Sequence, residues 1–325
     1  MIRLFRSVTP FSLLAGLLYL AAMSLHLFLH PVVPDLRPLQ EPYSDWFPVA
    51  QWSGHDLYMI VLLVLLMTAA FMVSVTAAGA SFTHGLSPLP AIVYLTLCFL
   101  VPDAFIHPVS VITVIGFLRL YQLIFNSYNK QQADSLLLNA GIWCGILSLL
   151  EPAYILIVVP VVIGFSTIRT LTFRESLVIL SGTLVMHFLA VTAMLLFGKS
   201  DWYLAAWKNW HIPGQDGWPH WLILIQLALA LMFLLAATAY LTQHLNNQLI
   251  RFRRNTRVLL VFLLGALLLA LILPAGVTAV WWWIAAPAAL MISWWWTQMK
   301  NQDAAAILHL TLLGLVFVFQ YINFA

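Results

Sequence analysis

The sequence predicts an all-α, polytopic transmembrane bundle of about eleven helices, with its N-terminus cytoplasmic and its C-terminus external. Three observations carry that expectation. The first is composition: 63% of the 325 residues are hydrophobic, only 8% are charged and mean hydropathy is +0.96, whereas soluble domains carry about 25% charge. The second is length. A bilayer core of about 30 Å takes roughly 20 apolar residues to cross, so the chain holds about eleven crossings provided most connections are short. The third is how the few charges are sorted, because Lys and Arg concentrate in alternate connections and so set orientation.

With the N-terminus inside, Arg3, Arg6, Arg119, Lys130, Arg169, Arg174, Arg251, Arg253, Arg254, Arg257 and Lys300 fall on the cytoplasmic side. Only Arg37, Lys199 and Lys208 fall outside. Most acids go the other way: Asp35, Glu41, Asp45, Asp56, Asp103, Glu151, Asp201 and Asp216 lie outside or at the outer boundary, leaving Asp134, Glu175 and Asp303 inside. Acids contribute little to topology, so their outward concentration is a separate observation. The basic residues are dispersed over many loops and give no reason to expect a nucleic-acid partner. Their largest cluster, Arg251 to Arg257, reads as a topology anchor facing anionic lipid.

The first span is Phe11 to Leu29, after a basic start. Its apolar run is longer than the 7–15 residues usual in a signal peptide and no small-residue cleavage pattern follows, so it reads as a retained helix. An external loop at 30–56, the longest polar segment, leads to a second span at about Leu57 to Ala77. The third, roughly Leu89 to Val101, is short and bounded by Pro90 and Pro102. At 1.5 Å per residue it barely covers the core, which predicts a broken helix, local thinning or a tilted neighbour. The fourth follows His107-Pro108 and ends near Phe125.

Spans five and six, about Ser135 to Leu150 and Ala153 to Ile168, predict a hairpin with Glu151-Pro152 at its outer turn. Span seven follows Arg174-Glu175 and ends at Phe197. A second long external segment occupies 198–220, in which Tyr203, Trp207 and Trp210 recur at helical spacing and suit a short helix in the interface plane. Spans eight to eleven cover Trp221 to Leu241, Val258 to Leu273, Val277 to about Trp296, and Ala304 to Phe324. Trp281–Trp283 and Trp294–Trp296 bracket span ten, their centres about 20 Å apart along a helix, which predicts two interfacial aromatic belts. Cys98 and Cys144 sit in apolar spans and read as small hydrophobes. Residues 1–325 form a single membrane domain.

The external face collects carboxylates and imidazoles, the usual groups for general acid and base work and for a divalent metal. No spacing is diagnostic of either, and metal use is unknown. Glu151 is the sharpest single residue, since it follows GIWCGILSLL directly and a carboxylate at membrane depth is costly. The Trp-rich segment suits either stacking on a sugar or lipid headgroup or interfacial anchoring. His187, in the middle of span seven, is expected to be hydrogen-bonded within the bundle.

The runs FIHPVSVITVIGFLRLYQLIF and LLLNAGIWCGILSLLEPAYILIVVPVVIGFSTIRTLTFRE resemble an uncharacterised polytopic inner-membrane protein family of Bacteroidota, with its His/Pro-led helix, Gly-containing hairpin and Arg-Thr/Arg-Glu turn. That resemblance implies a multi-pass protein of a bacterial inner membrane and no particular activity. A looser similarity is to the C-type membrane glycosyltransferases, in which a long first external loop carries the catalytic carboxylate and a later hairpin resembles GIWCGILSLLEPAYILIVVP. It implies Asp35, Glu41 or Asp45 as catalytic base, with Glu151 as a further candidate. Arg37 or Lys199 would face a lipid phosphate, with His107, Trp207 and Trp210 as further substrate-binding candidates.

The sequence reading is thus a membrane protein with an acidic external face that uses a polyprenyl-phosphate-linked sugar, in contact with membrane lipids including that donor. The alternatives are a transporter or channel, which needs polar groups near the midplane and interrupted helices, and a non-catalytic scaffold in envelope biogenesis or secretion.

Overall fold

The computed structural model describes residues 5, 8–29, 55–83, 85–106, 108–130, 132–198, 203, 207, 221–272 and 276–322. Among them are eleven α-helices and no strand. They are α1 (Pro10–Leu29), α2 (His55–Gly79), α3 (Leu89–Leu100), α4 (Pro108–Asn126), α5 (Asp134–Leu150), α6 (Val158–Ile168), α7 (Phe173–Leu196), α8 (Trp221–His244), α9 (Ile250–Ile272), α10 (Gly276–Gln298) and α11 (Gln302–Ile322). Each expected span has its helix. Six of them, α2, α4, α7, α8, α9 and α11, contain stretches long and apolar enough to cross a membrane. The outward faces agree: Leu184 and Phe188 on α7 are 67% and 70% exposed, and apolar surface of that extent is stable only against lipid or a partner.

Helix α10 is the axis of the bundle, packed by α3, α4, α8, α9 and α11. Every residue from Val280 to Trp294 is buried, as expected of a helix that is apolar all round. This corrects the aromatic-belt expectation. Trp281, Trp282, Trp283, Trp294 and Trp296 are all 3% exposed or less, and they are core residues. Two of their indoles complete backbone hydrogen bonding elsewhere and a third binds a side chain. Pro108 has no N–H to offer the carbonyl of Ala104 four residues earlier, and Trp282 Nε1 donates to that oxygen instead (3.1 Å). Trp281 Nε1 donates to Leu97 O in the last turn of α3 (2.8 Å), where helix carbonyls lack partners. Trp283 Nε1 donates to Thr113 Oγ1 (3.1 Å).

Those bonds account for the short third span. α3 has 12 residues, nearly all buried, and continues beyond Val101 as a 3-10 stretch, Pro102–Ile106. At about 1.5 and 2.0 Å per residue the two together reach about 28 Å, close to a bilayer core. The expected break is present, and α3 lies inside the protein.

Helix α5 packs most extensively on α7, and α6 on α9. The expected α5–α6 hairpin is therefore a chain reversal whose arms separate. Glycines decide the pairing. A Cβ at Gly141 would lie 2.1 Å from Ile179 O, one at Gly145 2.6 Å from Met186 Cβ, and one at Gly182 2.6 Å from Leu138 O. Small residues four apart let helix backbones approach closely in a membrane, and Thr183 Oγ1 uses that approach to donate to Gly141 O (3.1 Å).

The helices alternate in direction, so the connections gather at two ends. Ser87 Oγ donates to Phe5 O (2.7 Å), Asn255 Nδ2 to Ala80 O (3.0 Å) and Tyr240 OH to Gln298 O (3.2 Å), which ties one end together. All nine described Lys and Arg residues lie at or toward this basic end. Here the Arg251–Arg257 cluster departs from a simple lipid-facing anchor. It belongs to α9, which begins eight residues earlier than the apolar run. Arg251 Nη2 donates to Gly79 O at the end of α2 (3.0 Å), and Arg254 Nη1 donates to Ile168 O at the end of α6 (2.5 Å). The Tyr128 ring lies 5.8 and 5.9 Å from the two guanidinium carbons. Two of the four arginines thus cap helix C-termini, where cations are favoured.

Candidate functional site

At the other end the acids whose side chains are described are Asp103 and Glu151. Glu151 closes α5, with its backbone extended (φ −146°, ψ 115°) because Pro152 cannot follow in the same helix. The chain resumes as a 3-10 stretch, Pro152–Ile157, before α6. The Glu151 carboxylate is partly buried. Burial pushes it above the ordinary range for glutamate, opposed by a hydrogen bond from the Ala153 backbone N–H. Tyr154, three residues on, sets its hydroxyl beside Ser110 and Thr113 of α4 and packs its ring 4.3 Å from that of Trp283.

One turn before Glu151, Ser148 faces α7. Its Oγ lies 2.8 Å from His187 Nε2 and 2.9 Å from Gly145 O. The other ring nitrogen, His187 Nδ1, is 3.1 Å from the hydroxyl of Tyr203. All these contacts are satisfied by one neutral form. The Ser148 proton goes to the Gly145 carbonyl, His187 Nε2–H donates to Ser148 Oγ, and Tyr203 O–H donates to Nδ1. His187 is 8% exposed, as the buried imidazole expected from the sequence should be. The close approach of α5 to α7 makes the Ser148 bond possible.

Trp207 places its ring 5.6 Å from His187 and 6.2 Å from Tyr203. Tyr203 and Trp207, four residues apart, are helical as expected. Both side chains pack against His187 of α7. The end therefore carries a carboxylate, a neutral imidazole, several hydroxyls and an aromatic wall contributed by α4, α5, α7, α10 and the 198–220 segment. Such a set can accept and donate hydrogen bonds and hold a proton at Glu151.

Of the residues singled out from sequence, Glu151 and Trp207 belong to this end. Asp35, Glu41, Asp45, Arg37, Lys199, His107 and Trp210 lie outside the described residues. The 30–54 segment that holds four of them joins α1 to α2. Sequence reasoning missed Ser148, Tyr154, Ser110 and Thr113. Ser148 had a usable signal, since it sits one turn from Glu151 in an otherwise apolar run. Among the described residues no three of His, Cys, Asp and Glu come together as a metal site would require. Cys98 and Cys144 are buried free thiols, as expected.

Comparison with protein-family profiles, characterised proteins and solved structures finds no match to this chain.

Proposed function

We propose that the chain is a multi-pass protein of a bacterial inner membrane, with its basic end in the cytoplasm and the Glu151 end external, and that this external end transfers a sugar from a polyprenyl-phosphate donor in the manner of a C-type glycosyltransferase. The orientation follows from the positive-inside bias, with all nine described bases at or toward one end. The reading of activity rests chiefly on one observation. A carboxylate held above its ordinary range by burial stands at the end opposite the bases, next to Tyr154, and the same end carries the hydrogen-bonded His187 with Trp207 against its ring. A general base works best when its affinity for protons approaches the ambient pH, and burial moves Glu151 in that direction.

In this reading, Asp35, Glu41, Asp45 or Glu151 takes the proton of the acceptor hydroxyl. Arg37 or Lys199 faces the donor phosphate, because phosphate is held best by charged donors. Trp207 and Trp210 supply stacking surface, and His107 a further polar contact. The test replaces Asp35, Glu41, Asp45 and Glu151 one at a time by the amide in a deletion strain, with lipid-linked sugars and glycosylated products measured. At least one replacement should abolish product while the protein accumulates normally. Unchanged products for all four would end the enzyme reading.

A further inference from the structure

Helix α4 carries a cation where a membrane span should have none. Arg119 lies seven residues before Asn126, the last residue of α4, or about 10 Å inside the helix end. Arginine at such depth is rare and faces a charged partner, backbone carbonyls or the interface. Its Nη1 donates to Gln122 Oε1 (3.0 Å), and Gln122 Nε2 donates to Thr76 Oγ1 of α2 (3.3 Å). Gln122 is neutral, and among the described residues no carboxylate contacts Arg119.

Arg119, Gln122 and Asn126 follow one another at helical spacing, so they form a polar track along one face of α4. That face is turned outward. Ile112 on the same track is 43% exposed, and Phe71 and Val75 on the adjoining face of α2 are 60% and 37% exposed. Between the last turns of the two helices is a cleft of about 120 Å³, lined by Val75, Thr76, Gly79, Gln122, Phe125 and Asn126. Arg251 reaches across its rim to Gly79 O (3.0 Å), and the buried Nε–H of Arg251 has no partner.

We infer that this cleft binds the phosphate headgroup of an anionic membrane lipid. Arg119 adjoins the cleft through Gln122 and Arg251 through Gly79, and the acyl chain runs along the exposed apolar surface past Val75, Phe71 and Ile112. The charge complementarity and the groove select the same ligand. A phosphate supplies the anion that Arg119 lacks, and a hydrocarbon chain covers surface that water cannot. The cleft opens at the end opposite Glu151 and is independent of any sugar transfer there.

The test follows thermal unfolding of the purified full chain in a neutral detergent during titration with dioctanoyl phosphatidylglycerol. Parallel titrations use dioctanoylglycerol, which lacks the phosphate, and inorganic phosphate, which lacks the chains. Only phosphatidylglycerol should raise the midpoint saturably. Arg119→Gln should weaken its half-saturating concentration about tenfold to hundredfold, as loss of a charge-assisted hydrogen bond does. Arg119→Lys should fall between, and Arg257→Gln, an exposed arginine at the same end, should match the wild type. If Arg119→Gln does not fold, Gln122→Leu keeps the cation and should still weaken the lipid several-fold. Equal stabilisation by dioctanoylglycerol or by phosphate alone would overturn the inference. So would a wild-type response from whichever of Arg119→Gln and Gln122→Leu folds, or an equal loss in Arg257→Gln.

Discussion

Replacing Gly141 by alanine tests the α5–α7 contact and the polar group it supports. The new methyl would stand 2.1 Å from Ile179 O, and real Cβ contacts under 3.0 Å are essentially never seen. The opposing atoms, on Ile179 and Gly182, are all backbone, so no side chain can swing away and the helices must separate by about 1 Å. Overpacking of this kind costs about 1–3 kcal/mol. Separation by that amount also stretches the Ser148–His187 bond, now 2.8 Å, and the Thr183–Gly141 bond, now 3.1 Å, beyond useful hydrogen-bonding distance. Each of the two lost bonds adds roughly 0.5–1.5 kcal/mol, which gives an expected destabilisation of about 2–6 kcal/mol. Gly16→Ala and Gly314→Ala are the controls, because a Cβ at either meets nothing within 4 Å. They should be neutral, or stabilising by up to about 1 kcal/mol through helix propensity. Reversible unfolding in mixed micelles measures all three. A Gly141→Ala variant within about 0.5 kcal/mol of wild type, or a loss as large in Gly314→Ala, would refute the close-packed crossing.

Three further outcomes are expected. Because the folded protein holds the Glu151 proton to higher pH than the ordinary value of 4.5, the stability gained from the protonated form is complete below about 4.5 and disappears as pH rises through the raised value. Glu151→Gln should therefore unfold at a higher temperature than wild type at pH 8, with the difference closing toward pH 4.5, and a pH-independent difference would contradict the burial effect. Trp282→Phe removes the buried indole donor to the Ala104 carbonyl and should cost about 1–3 kcal/mol, whereas Trp295→Phe, at the less buried position, should cost less. Single cysteines replacing Lys130, Arg174 or Lys300 in a background lacking Cys98 and Cys144 should react with a membrane-impermeant maleimide only from the cytoplasmic side. One replacing Gly198 should react only from outside, and the reverse pattern would invert the orientation.

Much of the fold was legible because long apolar runs between polar turns leave few choices for a chain of this hydropathy. The boundaries of α1, α2 and α4 fall within two residues of the apolar runs, and the broken third span was readable from its shortness and from Pro90 and Pro102. Hydropathy reports removal from water, however, and is silent on whether lipid or protein does the covering, since lipid tails are as apolar as leucine. The two Trp triplets of α10 therefore looked like interfacial belts, although the indoles of the first are spent inside on Leu97, Ala104 and Thr113 and Trp294 and Trp296 of the second are buried. The pairing of α5 with α7 was written in Gly141, Gly145 and Gly182, but only the first two are close in sequence, and their partner lies more than 35 residues away. Arg119 was assigned to the cytoplasmic side because sequence alone places a charge near a span end without fixing its depth.

The candidate site was half legible. Glu151 and His187 stood out as polar residues in apolar surroundings, and helical spacing grouped Tyr203 with Trp207. The signal at Ser148, its place one turn before Glu151, is diluted because a lone serine in a membrane helix ordinarily bonds its own backbone, as this one also does with Gly145. Its second bond, to His187, arises only from the tertiary approach of α7.

The central claim concerns sugar transfer at the external end, and it is tested most directly by turnover in purified protein. The chain is reconstituted in liposomes with a radiolabelled polyprenyl-phosphate sugar and a pool of acceptor glycans extracted from the native envelope, and label leaving the lipid phase is followed over time. We expect wild-type protein to release label to the acceptor, and at least one of the four amide variants, Asp35→Asn, Glu41→Gln, Asp45→Asn or Glu151→Gln, to release none while unfolding at or above the wild-type temperature. No transfer by the wild type, or transfer unchanged in all four variants, would contradict it.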